Sequence, residues 1–154
     1  MDIKRFGNRQ GKTIMLLHGN LMCWRQFENL IPLLEKKFCV YAVSFDGFDG
    51  TGETTYTTAQ AQADKLAEYI EKELDGRLDL FYAESLGCGP AVFLKASPTV
   101  QIDRMILSGP EYLDFGVLNR LILKVMPQKQ YRTAHEKYMP AWALRFMGQT
   151  EQGM

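Results

Sequence analysis

Histidine is the scarcest of the catalytic residue types in this chain of 154 residues, which has two, His18 and His135, beside three cysteines. There is no H-x-x-x-H and no cysteine pair, so a metal site has no ligand set to start from. Neither G-x-x-x-x-G-K-[ST] nor G-x-G-x-x-G occurs, which removes the usual backbone cradles for nucleotide phosphates. No cofactor is expected. The 18 basic and 18 acidic residues cancel, so no net field draws a polyanion, and nucleic acid is excluded as a partner. No apolar run approaches the roughly 20 residues of a spanning helix, and Met1-Asp2-Ile3-Lys4-Arg5 leads into Gly7, Asn8 and Gln10 where a signal peptide would turn apolar. No membrane partner is expected. Cys23, Cys39 and Cys88 are odd in number, with no C-x-x-C spacing, and read as reduced thiols of a cytoplasmic protein. Internal repeats and low-complexity tracts are also lacking.

What is present is an ordinary globular composition, 46% apolar and 23% charged, in a chain long enough for one domain with a sizeable core. Apolar runs with the look of buried strands fall at Ile14 to Leu17, Phe38 to Phe45, Leu78 to Ala83 and Arg104 to Leu107, with amphipathic segments between them. That alternation predicts β-α-β units and a mostly parallel sheet. The first helix is expected from Trp24 to Leu34, with Phe27, Leu30, Ile31 and Leu34 on one stripe. The second is expected to open at Thr57, with Gln60 three residues on as in a capping box, and to bury Ala59, Ala63, Leu66, Ala67, Ile70 and Leu74. After Pro110 strand-like runs cease and helical patterns follow, from about 116 to 126 and 128 to 147. The division is therefore a core over 1–110 and a helical segment over 111–154.

The most informative stretch is Leu80-Phe81-Tyr82-Ala83-Glu84-Ser85-Leu86-Gly87-Cys88-Gly89-Pro90. An apolar strand runs into a serine flanked two residues either side by Ala83 and Gly87, the small residues that a tight strand-to-helix turn demands. Upstream, Thr13-Ile14-Met15-Leu16-Leu17 ends in His18-Gly19-Asn20, and Asp46-Gly47-Phe48-Asp49-Gly50-Thr51-Gly52 makes a glycine-rich connection after the next strand. Together these resemble the nucleophile elbow and oxyanion strand of α/β-hydrolases. The resemblance runs through Met105-Ile106-Leu107-Ser108-Gly109-Pro110 and implies an incomplete α/β-hydrolase sheet, with 111–154 as the start of a helical cap.

The resemblance also implies roles. Ser85 would be the nucleophile, with the backbone N–H groups of Asn20 and Leu86 as oxyanion donors. His18 would be structural, beneath the oxyanion loop. Glu111 occupies a place where some α/β-hydrolases carry the triad acid, with Asp114 close behind, although a solvated loop carboxylate is the stronger reading of both. The family's histidine follows its last strand, whereas the only downstream histidine here, His135, lies on a stripe with Tyr131, Tyr138 and Trp142. Asp46 is expected to fix its loop by accepting backbone hydrogen bonds, and Cys88 to be a small buried apolar residue. The expected function is a serine hydrolase of carboxylic esters or related acyl bonds, taking a small-molecule acyl substrate and inactive as this short chain for want of the triad histidine. The alternative is a non-catalytic, truncated or degenerate module that binds a ligand or partner. The Met105 strand is expected at an apolar sheet edge, which favours association of copies into a homo-oligomer.

Overall fold

A computed structural model of the chain describes residues 1–110. Candidate residues beyond them, Glu111, Asp114 and His135 with the helical segment 111–154, lie outside the described residues.

Five strands form one sheet in the order β1-β3-β2-β4-β5: β1 (Asp2–Phe6), β2 (Lys12–Leu17), β3 (Phe38–Ser44), β4 (Arg77–Glu84) and β5 (Gln101–Ser108). The four later strands pair in parallel, and β1 lies antiparallel to β3. Each apolar run of the sequence thus becomes a strand; three are extended by one to three residues at an end, and β3 stops at Ser44, one residue short of Phe45. The reason the runs are continuous rather than alternating is that both faces are covered. Along β2, Met15 and Leu17 face a core built with Leu66, Ile70, Phe81, Ala83 and Leu94, while Ile14 and Leu16 face a second core with Phe27, Ile31, Val40 and Ala42. Among the described residues β5 is a sheet edge, and Ile106 on it is half exposed.

One pairing carries a side-chain clasp. Ladder contacts between β2 and β4 begin at Ile14 and Leu80. Just before them the Asp79 carboxylate accepts from the Thr13 N–H at 2.7 Å and the Thr13 hydroxyl at 2.9 Å, and the Asp79 N–H donates to that hydroxyl at 3.0 Å. These bonds hold the Asp79 carboxyl below its usual pKa, the backbone bond from Thr13 contributing most.

The helices depart from expectation in instructive ways. A single helix from Trp24 to Leu34 does not form: a 3₁₀ turn, Trp24–Phe27, is followed by a short α1, Ile31–Leu34. Pro32 is the cause, since it has no N–H for the Glu28 carbonyl and its ring would strike that carbonyl in a continuous helix. The stripe breaks with it. Phe27 and Ile31 are buried, whereas Leu30 and Leu33 are exposed. In the second helix, α2 (Ala59–Leu74), the cap is Thr58 and not Thr57, its hydroxyl accepting from the Ala61 N–H at 3.1 Å. Gln62, absent from the expected stripe, is fully buried beside Ala63, Leu66 and Ile70. The last helix, α3 (Cys88–Lys95), buries Cys88, Pro90, Ala91 and Leu94.

The shifted cap gives a direct test. Thr58→Ala should cost about 1 kcal/mol in urea unfolding, the usual worth of a lost N-cap, while Thr57→Ala should change stability by less than about half of that. Equal losses at the two threonines would contradict the assigned cap.

Candidate active site

The carboxyl edge of the sheet gathers the residues singled out by the sequence. β4 ends at Glu84, Ser85 follows at once, and a 3₁₀ turn, Ser85–Gly87, leads into α3. The Ser85 φ is +45°, in the left-handed region where a side chain costs about 1–3 kcal/mol. Only two other non-glycine residues among those described have positive φ, and one of them, Leu21 at +62°, lies in the loop after His18-Gly19-Asn20. Two of the three strained positions therefore lie at or next to the candidate nucleophile and oxyanion loop.

Glycine is required at 87 for space. A Cβ there would lie 2.9 Å from the Leu17 Cβ and 3.0 Å from the His18 carbonyl oxygen, closer than real side chains approach. The turn after Ser85 thus packs directly onto the end of β2. At Gly19 the opposite side of the contact is visible, because a Cβ there would sit 3.7 Å from the Ser85 Cβ. A methyl group on Gly19 would thus touch the Ser85 side chain, so the two residues are neighbours.

The oxyanion candidates are consistent with that placement. The Asn20 side chain accepts from the Leu21 N–H at 3.0 Å, and the Gly19 carbonyl accepts from the Met22 N–H at 3.3 Å, which together form the loop. Neither the Asn20 N–H nor the Leu86 N–H is donated to another described residue.

His18 is held at both nitrogens. Nε2 accepts from the Phe45 N–H at 3.1 Å, so the ring proton is on Nδ1, which donates to the Gly19 carbonyl at 2.7 Å. The ring is fully buried and packed between Phe45 and Phe48, at centroid distances of 4.8 and 5.4 Å. Burial lowers its pKa to about 4, against a smaller upward pull from the Gly19 bond. His18 is therefore a brace for the loop, as expected, with no nitrogen left to take a proton from Ser85.

Asp46 does fix its loop, but through different partners from those expected. Its carboxylate accepts from the Lys65 ammonium at 2.6 Å, from the Gln62 side chain at 3.0 Å and from the Met1 amino group, and no backbone N–H of the loop is among these partners. Burial opposes the charge, yet these bonds outweigh it and bring the pKa down to about 2. The Asp46 N–H donates to the Gln62 Oε1 at 3.1 Å, which explains why a glutamine is buried on α2. Asp49 orders the glycine-rich segment from inside, accepting from the Thr51 and Thr54 hydroxyls. Cys88 is buried as expected, with Sγ 3.4 Å from the Ala83 carbonyl oxygen.

Residues the sequence did not mark also converge here. Gln26, from the 3₁₀ turn after β2, accepts from the Gly19 N–H at 2.9 Å and donates to the Glu84 carboxylate at 2.5 Å. Nothing in local periodicity signals Gln26, and only adjacency to Ser85 could have drawn attention to Glu84. Among the described residues no cluster of His, Cys, Asp and Glu could hold a metal ion, and no helix is long and apolar enough to cross a membrane.

Two expectations follow. Gly87→Ala should destabilise the fold by about 1–3 kcal/mol, as overpacking does, while Gly89→Ala, whose Cβ would meet only the Ala59 Cβ at 3.1 Å, should cost less. The folded-state pKa of His18 lies below the ordinary 6.5, so its neutral form contributes stability in full above 6.5 and loses it as pH falls toward 4. Unfolding free energies from urea titrations between pH 7 and 4 should drop with a slope of at most about 1.4 kcal/mol per pH unit from this group. His18→Gln should be less stable at pH 7 but flatter over that window, and an unchanged slope would contradict the assignment.

No family model and no curated protein sequence matches the chain. Solved structures do. A protein of the α/β hydrolase family from Desulfitobacterium hafniense superposes with a TM-score of 0.76 at 20% identity, covering 93% of this chain and 58% of its own. A carboxylesterase structure from the ammonia-oxidizing thaumarchaeon Nitrososphaera gargenis gives 0.67 at 18%, covering 87% and 49%. A 1H-3-hydroxy-4-oxoquinoline 2,4-dioxygenase gives 0.54 at 24%, covering 60% and 35%. The chain spans between about a third and three fifths of the length of these structures. Identities this low speak for architecture and not for chemistry. With a mostly parallel sheet, a serine at a strained strand-to-helix turn and a His-Gly loop packed against it, the chain has the α/β-hydrolase fold.

Proposed function

We propose that this chain carries the nucleophile and oxyanion part of a serine hydrolase acting on carboxylic esters or related acyl bonds. The observation that carries the reading is the Ser85 turn: a non-glycine residue held at a φ of +45°, its Cβ 3.7 Å from where a Cβ on Gly19 would lie. Strain of that kind persists only where surrounding structure imposes it, and it presents a side chain at a chosen point.

In the proposed reaction the Ser85 hydroxyl loses its proton to a base as its oxygen attacks the substrate carbonyl. The carbonyl oxygen takes up negative charge and receives the N–H groups of Asn20 and Leu86. Collapse expels the alkoxide, which takes the proton back from the base, and water then releases the acid by the same route. The base is not His18, whose two nitrogens are engaged at 2.7 and 3.1 Å. It must come from outside residues 1–110, with Glu111 proposed as the acid that orients it. The substrate is a small acyl compound. The exposed β5 edge is the proposed contact for a second copy in a homo-oligomer. A cytoplasmic location is part of the same proposal.

The test is labelling with a fluorophosphonate probe read by intact mass, alongside turnover of p-nitrophenyl butyrate. Residues 1–154 should take up one probe at Ser85, far more slowly than a complete triad would, and none in Ser85→Ala. They should show no measurable turnover, because a serine triad without its histidine loses on the order of 10⁶-fold in kcat. Ser85-dependent turnover by the short chain would place a base in 111–154 or in a partner copy. Complete failure to label would favour the non-catalytic binding module.

A further inference from the structure

The His18–Gly19 peptide, one unit before the Asn20 N–H that the proposed reaction uses to hold the oxyanion, is fastened to the residue preceding the nucleophile by side chains that belong to no recognised motif of the sequence. Gln26 spans the gap. Its carbonyl oxygen accepts from the Gly19 N–H at 2.9 Å, and its amide nitrogen donates to the Glu84 Oε2 at 2.5 Å. A Cβ on Gly19 would lie 3.9 Å from the Gln26 Oε1, 4.0 Å from the Glu84 Oε1 and 3.7 Å from the Ser85 Cβ, so these side chains surround one point above Gly19.

Both ends of this link are anchored. Gln26 precedes Phe27, which is buried and meets Tyr82 edge to face at 5.9 Å. The Tyr82 hydroxyl in turn reaches the Glu84 Oε2 at 3.4 Å. At the start of the 3₁₀ turn the Trp24 N–H donates to the Ser44 hydroxyl at 3.0 Å, which ties the turn to the end of β3. A glutamine is well suited to the position, because it must accept from a backbone N–H with one atom and donate to a carboxylate with the other. The bond to Glu84 is charge-assisted and so stronger than a neutral pair. Polarisation by the carboxylate makes the Gln26 carbonyl a better acceptor for the Gly19 N–H.

We infer that Gln26 and Glu84 are positioning residues that clamp the His18–Gly19 peptide against the Ser85 turn and so, through the shared Gly19 Cα, set the Asn20 N–H where an oxyanion would form. The clamp rests on the proposed hydrolase reading for its purpose, but its geometry can be tested without turnover. It also couples the donor to the nucleophile. Glu84 and Ser85 are adjacent in the chain, so a shift of the turn carries the Gly19 peptide with it.

The experiment measures amide hydrogen exchange at Gly19 by NMR in residues 1–154, together with the rate of fluorophosphonate labelling of Ser85. Gln26→Leu removes both bonds, and Gln26→Glu sets a carboxylate against Glu84. Each should speed Gly19 exchange about tenfold, the worth of one lost hydrogen bond, while core amides such as Leu66 keep their rates. Adding Glu84→Gln to Gln26→Glu reverses the direction of the side-chain bond and leaves a carboxylate oxygen for the Gly19 N–H. This double variant should return exchange to within about twofold of the parent, and labelling should fall in the single variants and recover in the double. If Gln26→Leu does not fold, the Gln26→Glu series carries the same test. Gly19 exchange unchanged in the single variants, or not rescued in the double, overturns the clamp. Faster exchange with unchanged labelling overturns its positioning role. A parent chain that never labels refutes the hydrolase reading instead, and the exchange data still decide the clamp.

Discussion

The approach of Gly87 to the end of β2 is the constraint on which the carboxyl edge depends. With hydrogen alone at residue 87, the turn after Ser85 can lie against Leu17 and the His18 carbonyl, where a methyl group would come within 2.9 Å of a neighbouring carbon. That contact fixes the height of the Ser85 turn relative to the His18-Gly19-Asn20 loop. His18 then braces the loop from below, spending one nitrogen on the Phe45 N–H and the other on the Gly19 carbonyl. Each interaction presupposes the last: a turn held away from β2 would leave the Gly19 peptide without Ser85 as a neighbour.

Much of this was legible in the residues. Buried parallel strands write themselves as unbroken apolar runs, so β2, β3, β4 and β5 could be found from composition alone. The strained serine was legible because Ala83 and Gly87 are the sizes that such a turn admits. What escaped was of two kinds. Pro32 divided a stripe that looked continuous by period, since periodicity counts side chains and is blind to a missing backbone donor. Long-range polar partners escaped as well: Gln62 holding Asp46 across 16 residues, and Gln26 holding Glu84 across 58, obey no local rule. Polar side chains inside a fold are placed by whichever buried donor or acceptor needs them, and the fold must be known before that need is visible.

The same division applies to function. The architecture is common to structures that include an esterase and a dioxygenase, so the sheet by itself does not select a reaction. What distinguishes possibilities is the state of particular groups: a serine at positive φ, two backbone N–H groups with no donation to described neighbours, and a histidine whose nitrogens are both spent. The first two are what the proposed acyl transfer would call for, and the third rules His18 out as its base.

The Thr13–Asp79 clasp bears on how the chain is made. Its partners are 66 residues apart, with β3 and α2 between them. A ribosome adding about 5–20 residues per second exposes β2 on the order of ten seconds before β4 can reach it. During that interval β1, β3 and β2 can pair, but the inner edge of β2 stays open, and its apolar residues would accept a foreign or misaligned strand. Asp79 gives the arriving strand a mark to find. A one-residue slip would part its carboxylate from both donors of Thr13, so the nascent chain reads its own alignment chemically before the apolar cores close over it.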